Sequence, residues 1–242
     1  NTSSTALVDF QPTSTGTISN GLNINGGATV NLQANRQIGY VYLNRGTLST
    51  NGTTQTWSSF NSQPCCDNSM VRVLNLGSST INCSGSWSIR EGQLLTVNAG
   101  TSQINMTGVN TTFQIMGNCC STGSSHAYNN LSFTANSGTV NFSHFYNAAG
   151  NAGNSSYNQV TFGAGANITG DITVGILNLA LNGTYTFQAG RTVTVNTLFN
   201  ANATCSGPMT IKSGTAGTQA IISKANATVT MNYCNLQDMN FT

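Results

Sequence analysis

The feature that most restricts this chain is a short motif that returns along it: a glycine, a threonine, then a strand alternating apolar and polar residues. It stands at Gly27–Leu32 (GATVNL), Gly77–Cys83 (GSSTINC), Gly138–Phe142 (GTVNF), Gly183–Phe187 (GTYTF) and Gly190–Val195 (GRTVTV), with a variant at Gly100–Met106 (GTSQINM). Alternation over so few residues marks short strands with one buried face. The glycine is predicted to supply positive φ at the corner between strands. A longer unit, Tyr128–Phe133 (YNNLSF), returns as Tyr157–Phe162 (YNQVTF). Asn98–Gly100 and Gln188–Gly190 read as equivalent turns. Matched strands lie about 18 to 29 residues apart, the range of solenoid repeats, in which one turn cannot bury its apolar face alone.

Two observations favour a parallel solenoid over an antiparallel sandwich or jelly roll. Asn-Gly pairs framed by alternating strands, the strongest hairpin signal, occur only around Asn20, Asn25, Asn51 and Asn182. The Tyr-Asn unit also repeats in one chain direction, as in-register stacking requires. The fold expected is therefore all-β: a single right-handed parallel β-helix with lateral loops, one domain over residues 1–242. Residues 1–60 are expected to give N-terminal strands, a cap or an exchanged strand, and residues 61–242 the regular rungs.

Predicted interior residues are Leu76, Ile81, Leu95, Val97, Ile104, Met106, Leu131, Phe133, Val140, Phe142, Val160, Phe162 and Ile168. Ile172, Val174, Leu177, Leu179, Val193, Val195, Ile211, Ile221, Val229 and Met231 continue the set. Segments 57–70, 117–125 and 148–156 break the pattern and are expected to be lateral loops, where solenoids commonly carry their contacts. Tyr40, Tyr42, Trp57, Trp87 and Tyr146 are the aromatics expected to line a ligand groove, if one exists.

Composition narrows the function. Charged residues make up 5% of the chain, against about a quarter in ordinary soluble domains. Asn, Ser, Thr and Gln supply the polarity, and uncharged side chains stack without like-charge repulsion. The net charge of +2 comes from singly scattered Arg and Lys, so no nucleic-acid partner is expected. No apolar run is long enough to enter a membrane as a helix. The chain opens at Asn1 without Met or an apolar leader, and reads as a processed or trimmed mature segment.

Glycosidase or lyase chemistry on such a scaffold needs clustered carboxylates. Asp9, Asp67, Glu91, Asp171 and Asp238 are the whole acidic inventory and lie far apart. His126 reads as a polar loop residue and His144 as a corner residue beside Phe145. No catalytic residue, metal site or cofactor is expected. An ice-binding face is disfavoured too, because the Thr-x-Thr pairs at Thr192–Thr194 and Thr228–Thr230 are isolated.

Seven cysteines stand at Cys65, Cys66, Cys83, Cys119, Cys120, Cys205 and Cys234. Their spacing does not match paired zinc motifs. One or two disulfides in an oxidising compartment are expected, and the odd count leaves a thiol free or crosslinked to another chain. Cys65–Cys66 and Cys119–Cys120 are the candidate intermolecular bridges. Among many N-x-S/T triplets, Asn82, Asn105 and Asn141 are candidate glycosylation sites.

Leu74–Ile81 (LNLGSSTI), Leu94–Ile104 (LLTVNAGTSQI), the Tyr-Asn units, Cys205–Ala225 and Val229–Asp238 (VTMNYCNLQD) together resemble repetitive β-helix proteins of bacterial surfaces. These stretches also resemble the large secreted proteins of Bacteroidota exported by the type nine secretion system. It covers roughly residues 70–242 and implies a parallel β-helix with adhesion or surface-layer roles, without catalytic residues to carry over. The expectation is a secreted structural subunit of a surface filament or fibrous layer. It would polymerise through its solenoid ends, with Ala6, Leu7, Val8 and Phe10 as a strand that adds to a neighbour. The alternative is a segment of an adhesin that binds glycans or a host surface.

Overall fold

The computed structural model describes residues 7–10, 17–18, 21–62, 70–90, 94–116, 126–135, 137–145, 155–180, 182–224 and 226–242, with the side chains of 7–10 and 145 left aside. Among these residues the fold is all-β, with no helix. Every strand pairing is parallel; the one antiparallel contact is an isolated bridge between Thr204 and Gly207.

The pairings are solenoid-like. Arg72–Asn75, Thr80–Cys83 and Ser86–Arg90 follow one another, and each pairs with the corresponding strand one turn on: Leu95–Asn98, Gln103–Met106 and Thr112–Met116. Elsewhere the first two strands of a turn fuse into one bent strand, as in Ala127–Phe133 and Thr192–Asn202. The Tyr-Asn units stack in register, Tyr128 on Tyr157 and Phe133 on Phe162. Side-chain bonds between stacked strands join residues from 17 to 33 apart in sequence, so turn length varies while register is kept.

Register is kept because the period-2 alternation sends one set of side chains inward at every turn. Inside, aromatic rings stack. Phe60 lies 4.3 Å from Trp87 between ring centroids, Trp87 5.8 Å from Phe113, and Phe133 4.9 Å from Phe162. Outside, amides form ladders: Asn105 Nδ2 donates to Asn82 Oδ1 at 2.9 Å, Asn98 to Asn75 at 2.7 Å, and Asn232 to Asn202 at 2.7 Å. An uncharged amide carries donor and acceptor together, so identical residues bond each other one turn apart.

Several expectations are corrected. Gly27, Gly77, Gly100, Gly138 and Gly190 do take positive φ, but at Gly183 the corner is turned by Asn182, with φ 61°. The Asn-Gly pairs at 51–52 and 182–183 make corners between parallel strands, not hairpins. Asn98–Gly100 joins the first strand of a turn to the second, whereas Gln188–Gly190 joins the third to the next turn, so the two are not equivalent. Residues 57–62 belong to the strand Thr54–Ser62, and Ser156 opens the strand Ser156–Phe162; neither is loop. Ile222, not Ile221, is the buried residue of its strand. Val97, Val229 and Met231 are half-buried against the core. The segments 63–69, 117–125 and 148–154 lie outside the described residues.

Candidate functional site

Three places in this stack are candidate sites: one corner, one outer face and the last turn.

The corner is where the third strand of a turn passes to the first strand of the next. On four successive turns the third strand ends there, at Ser62, Arg90, Met116 and Phe145. The stacking of those strands is shown by the register Phe60–Trp87–Phe113–Phe142. Cys65, Cys66, Cys119, Cys120 and Tyr146 follow these strand ends in the sequence and lie outside the described residues, as do Ala6, Asp67 and Glu91.

Beneath the corner the interior turns polar. Arg72 is 4% exposed. Its Nη1 donates to the carbonyl and hydroxyl oxygens of Ser62 at 2.8 and 3.0 Å, and both terminal nitrogens donate to the Arg90 carbonyl at 3.1 Å. The guanidinium thus ties together the ends of two of these strands. Burial lowers its pKa to about 10. His126 is buried as well, and burial, with the nearby Arg72 charge, lowers its pKa to about 4. His144 is 2% exposed, and its Nε2 lies 2.8 Å from the Tyr157 hydroxyl. Tyr157 in turn stacks on Tyr128 at 5.3 Å. Both histidines, expected at the surface, are therefore inside. A sequence signal existed in the paired Tyr128 and Tyr157, whose hydroxyls need polar company when buried.

The outer face belongs to the third-strand stack. Its register places Tyr42, Asn61, Ser88, Gln114, Ser143 and Thr169 in one column. Thr112, Asn141, Asn167, Thr186 and Lys212 form the column beside it. Over the later turns the face hollows into a groove of about 620 Å³, bounded on one side by Gln188 and Thr215. At the earlier end Tyr40 and Tyr42 stand 52% and 41% exposed, their rings 6.4 Å apart and inclined by 27°. Trp57 and Trp87, also expected in a groove, are instead fully buried core residues.

At the last turn, Thr228–Asn232, Cys234–Gln237 and Met239–Phe241 each pair with a strand on one side only. Val229, Met231 and Phe241 pack on the core from one side and stay half-exposed, and Leu236 is 50% exposed. At the other end Leu7–Phe10, which contains Leu7, Val8 and Phe10, pairs in parallel with Ala28–Leu32 of its own chain and has no second strand partner among the described residues.

The described cysteines form no disulfide: Cys83 is buried in the core, Cys205 is exposed and Cys234 half-buried, all free. Cys83 is stacked between Trp57 and Met106, and burial raises its pKa to about 11, so it behaves as a small apolar residue. Asn82, Asn105 and Asn141 all take part in ladders, and the Asn105 Nδ2 that a glycan would occupy is the donor to Asn82. Asp171 pairs with Arg191 at 3.5 Å and accepts from the Thr192 amide, while Asp238 accepts from the Gly217 amide. The described residues contain no cluster fit to hold a metal.

No family model, curated protein or solved structure matches this chain.

Proposed function

We propose that the chain forms a single right-handed parallel β-helix over its full length. In this reading it is a non-enzymatic, secreted structural subunit of a surface filament or fibrous layer that assembles end to end. The observation that carries the reading is the last turn. Its open strand edges and half-exposed Val229, Met231, Leu236 and Phe241 leave unpaired backbone groups beside an unfinished apolar core. In a parallel stack the edge at one end complements the edge at the other, because every strand runs in the same sense. A second copy can continue the ladder, and such a head-to-tail contact does not close on itself. The charge-poor exterior supports the same reading, since amide ladders of the kind at Asn82 and Asn105 continue from copy to copy without electrostatic penalty.

Electron microscopy of the unreduced protein at neutral pH tests this. Fibres are expected, and Met231→Asp, which puts a charge on the open end, should disperse them. Isolated rods from the unmodified protein would refute self-assembly and assign the open edge to further turns of a longer chain.

A further inference from the structure

The outer face of the third-strand stack is lateral, and end-to-end stacking leaves it uncovered. We propose that this face binds a neutral polysaccharide laid along the stack, with Tyr40 and Tyr42 as its platform and the groove over Asn141, Asn167 and Thr186 as its hydrogen-bonding seat.

Three observations converge on that ligand class. Tyr40 and Tyr42 are two residues apart on one strand, so both project from the same side of the sheet. They are half-exposed and inclined by only 27°, whereas Trp57, Trp87 and Tyr185 are fully buried. The pair presents a broad apolar surface with hydroxyl tips, which suits a molecule with an apolar ring face and a polar rim.

The second observation is the column that begins at Tyr42 and runs through Gln114 to Thr169. It carries an amide or hydroxyl at each turn, about 4.8 Å apart: Asn61, Gln114 and Thr169 are part-exposed, while the Ser88 and Ser143 hydroxyls are buried and accept from Gln114 and Thr169. Gln114 Nε2 donates to Ser88 Oγ at 2.9 Å and Asn167 Nδ2 to Asn141 Oδ1 at 3.1 Å. Each amide has two N–H groups and two lone pairs, so a ladder bond leaves capacity for a ligand. The ladder also holds these groups in place, which lowers the ordering cost of binding.

The third is charge. Neither column contains a carboxylate; Lys212 is the single cation within them, and Arg191, two residues from the groove-lining Ala189, is paired with Asp171. An anionic polymer is recognised by clustered cations; a row of uncharged amides and hydroxyls matches a neutral polyol.

The test is affinity electrophoresis of the native protein through gels containing hydroxyethylcellulose, mixed-linkage β-glucan, xyloglucan, galactomannan, dextran or polygalacturonate. At least one neutral polymer should retard the protein, with little change at about 0.5 M salt, where charge attraction is screened. Tyr40→Ala/Tyr42→Ala should weaken that binding about tenfold, equivalent to about 1.4 kcal/mol. Tyr40→Phe/Tyr42→Phe, which keeps the rings, should preserve most of it. Thr186→Arg, placed on the groove floor, should also weaken it. Circular dichroism melts establish that each variant is folded, and the outward setting of all three positions favours that. Retardation by polygalacturonate alone, by no neutral polymer, or to the same degree in Tyr40→Ala/Tyr42→Ala would overturn the proposal.

Discussion

Trp87 sits at the centre of the aromatic stack, wholly buried against Phe60, Trp57 and Phe113 at 4.3, 5.9 and 5.8 Å. A buried indole removes about 150–250 Å² from water, and at about 25 cal/mol per Å² that corresponds to about 4–6 kcal/mol. A compact unfolded chain already hides part of that surface, which reduces the figure by about 10–40%. Trp87→Ala is therefore expected to cost about 3–5 kcal/mol, in line with other aromatic truncations. Trp87→Phe behaves differently. The indole Nε1 of Trp87 is buried without a hydrogen-bond partner among the described residues, and an unpaired buried donor costs about 1–3 kcal/mol. Phenylalanine removes that donor while keeping a ring in the stack, so the lost volume is largely offset and the net change should stay within about 1.5 kcal/mol. Urea unfolding followed by circular dichroism and by the fluorescence of Trp57 measures both. A loss below about 1 kcal/mol in Trp87→Ala would refute the stacked-core argument. An equal loss in the two variants would refute it too, because the retained phenyl ring would then contribute nothing to the stack.

Other consequences are as direct. His126 binds a proton near pH 6.5 when unfolded but only near pH 4 when folded. The unfolded state therefore holds more protons between those values, and stability should fall as pH drops from 6.5 to 4, by up to about 3 kcal/mol; His126→Gln should flatten that part of a urea-midpoint profile, and an unchanged slope refutes the assignment. In the native protein at pH 8 a thiol reagent should leave Cys83 unlabelled while Cys205, fully accessible, reacts, with peptide mapping as the readout. Gly46 has φ 125°, and a Cβ there would overlap the carbonyl oxygen of Ala28 one turn away. Gly46→Ala should lower stability by more than about 2 kcal/mol. Gly190→Asn, with φ 69° and open space around it, should stay within about 1 kcal/mol in the same denaturation assay.

The stacking partners were legible where the chain repeats itself closely. Tyr128–Phe133 and Tyr157–Phe162 look alike because they occupy the same place one turn apart, and parallel stacking puts like on like. The aromatics show the limit of that legibility. Trp57 and Trp87, expected to line a groove if one exists, stand in the polar stretches TWSSFNS and SGSWS. In the fold those Ser and Asn residues are the outward half of an ordinary alternation, while Trp57 and Phe60 point inward on either side of a bend. A bend shifts the alternation by one residue, and that shift is invisible until the strand's two halves are each seen paired.

The candidate sites were less legible than the fold. Tyr40 and Tyr42 were noticed as aromatics, but only the register shows that their column continues through Asn61 and Gln114 to the groove. The common corner at which the strands ending in Ser62, Arg90, Met116 and Phe145 stop also needed the pairing, because those positions are unevenly spaced.

By itself the sequence determined that this chain is built of short alternating strands, poor in charge and stacked by repetition, because periodicity and composition are local properties that survive without coordinates. The tertiary structure decided which polar residues are buried, which aromatics stay outside, and which distant residues share a face. Those depend on variable turn lengths being closed by hydrogen bonds between turns. Arg72, His126 and His144 became interior groups, and Asn82, Asn105 and Asn141 rungs of a ladder, only once each turn had found its neighbour.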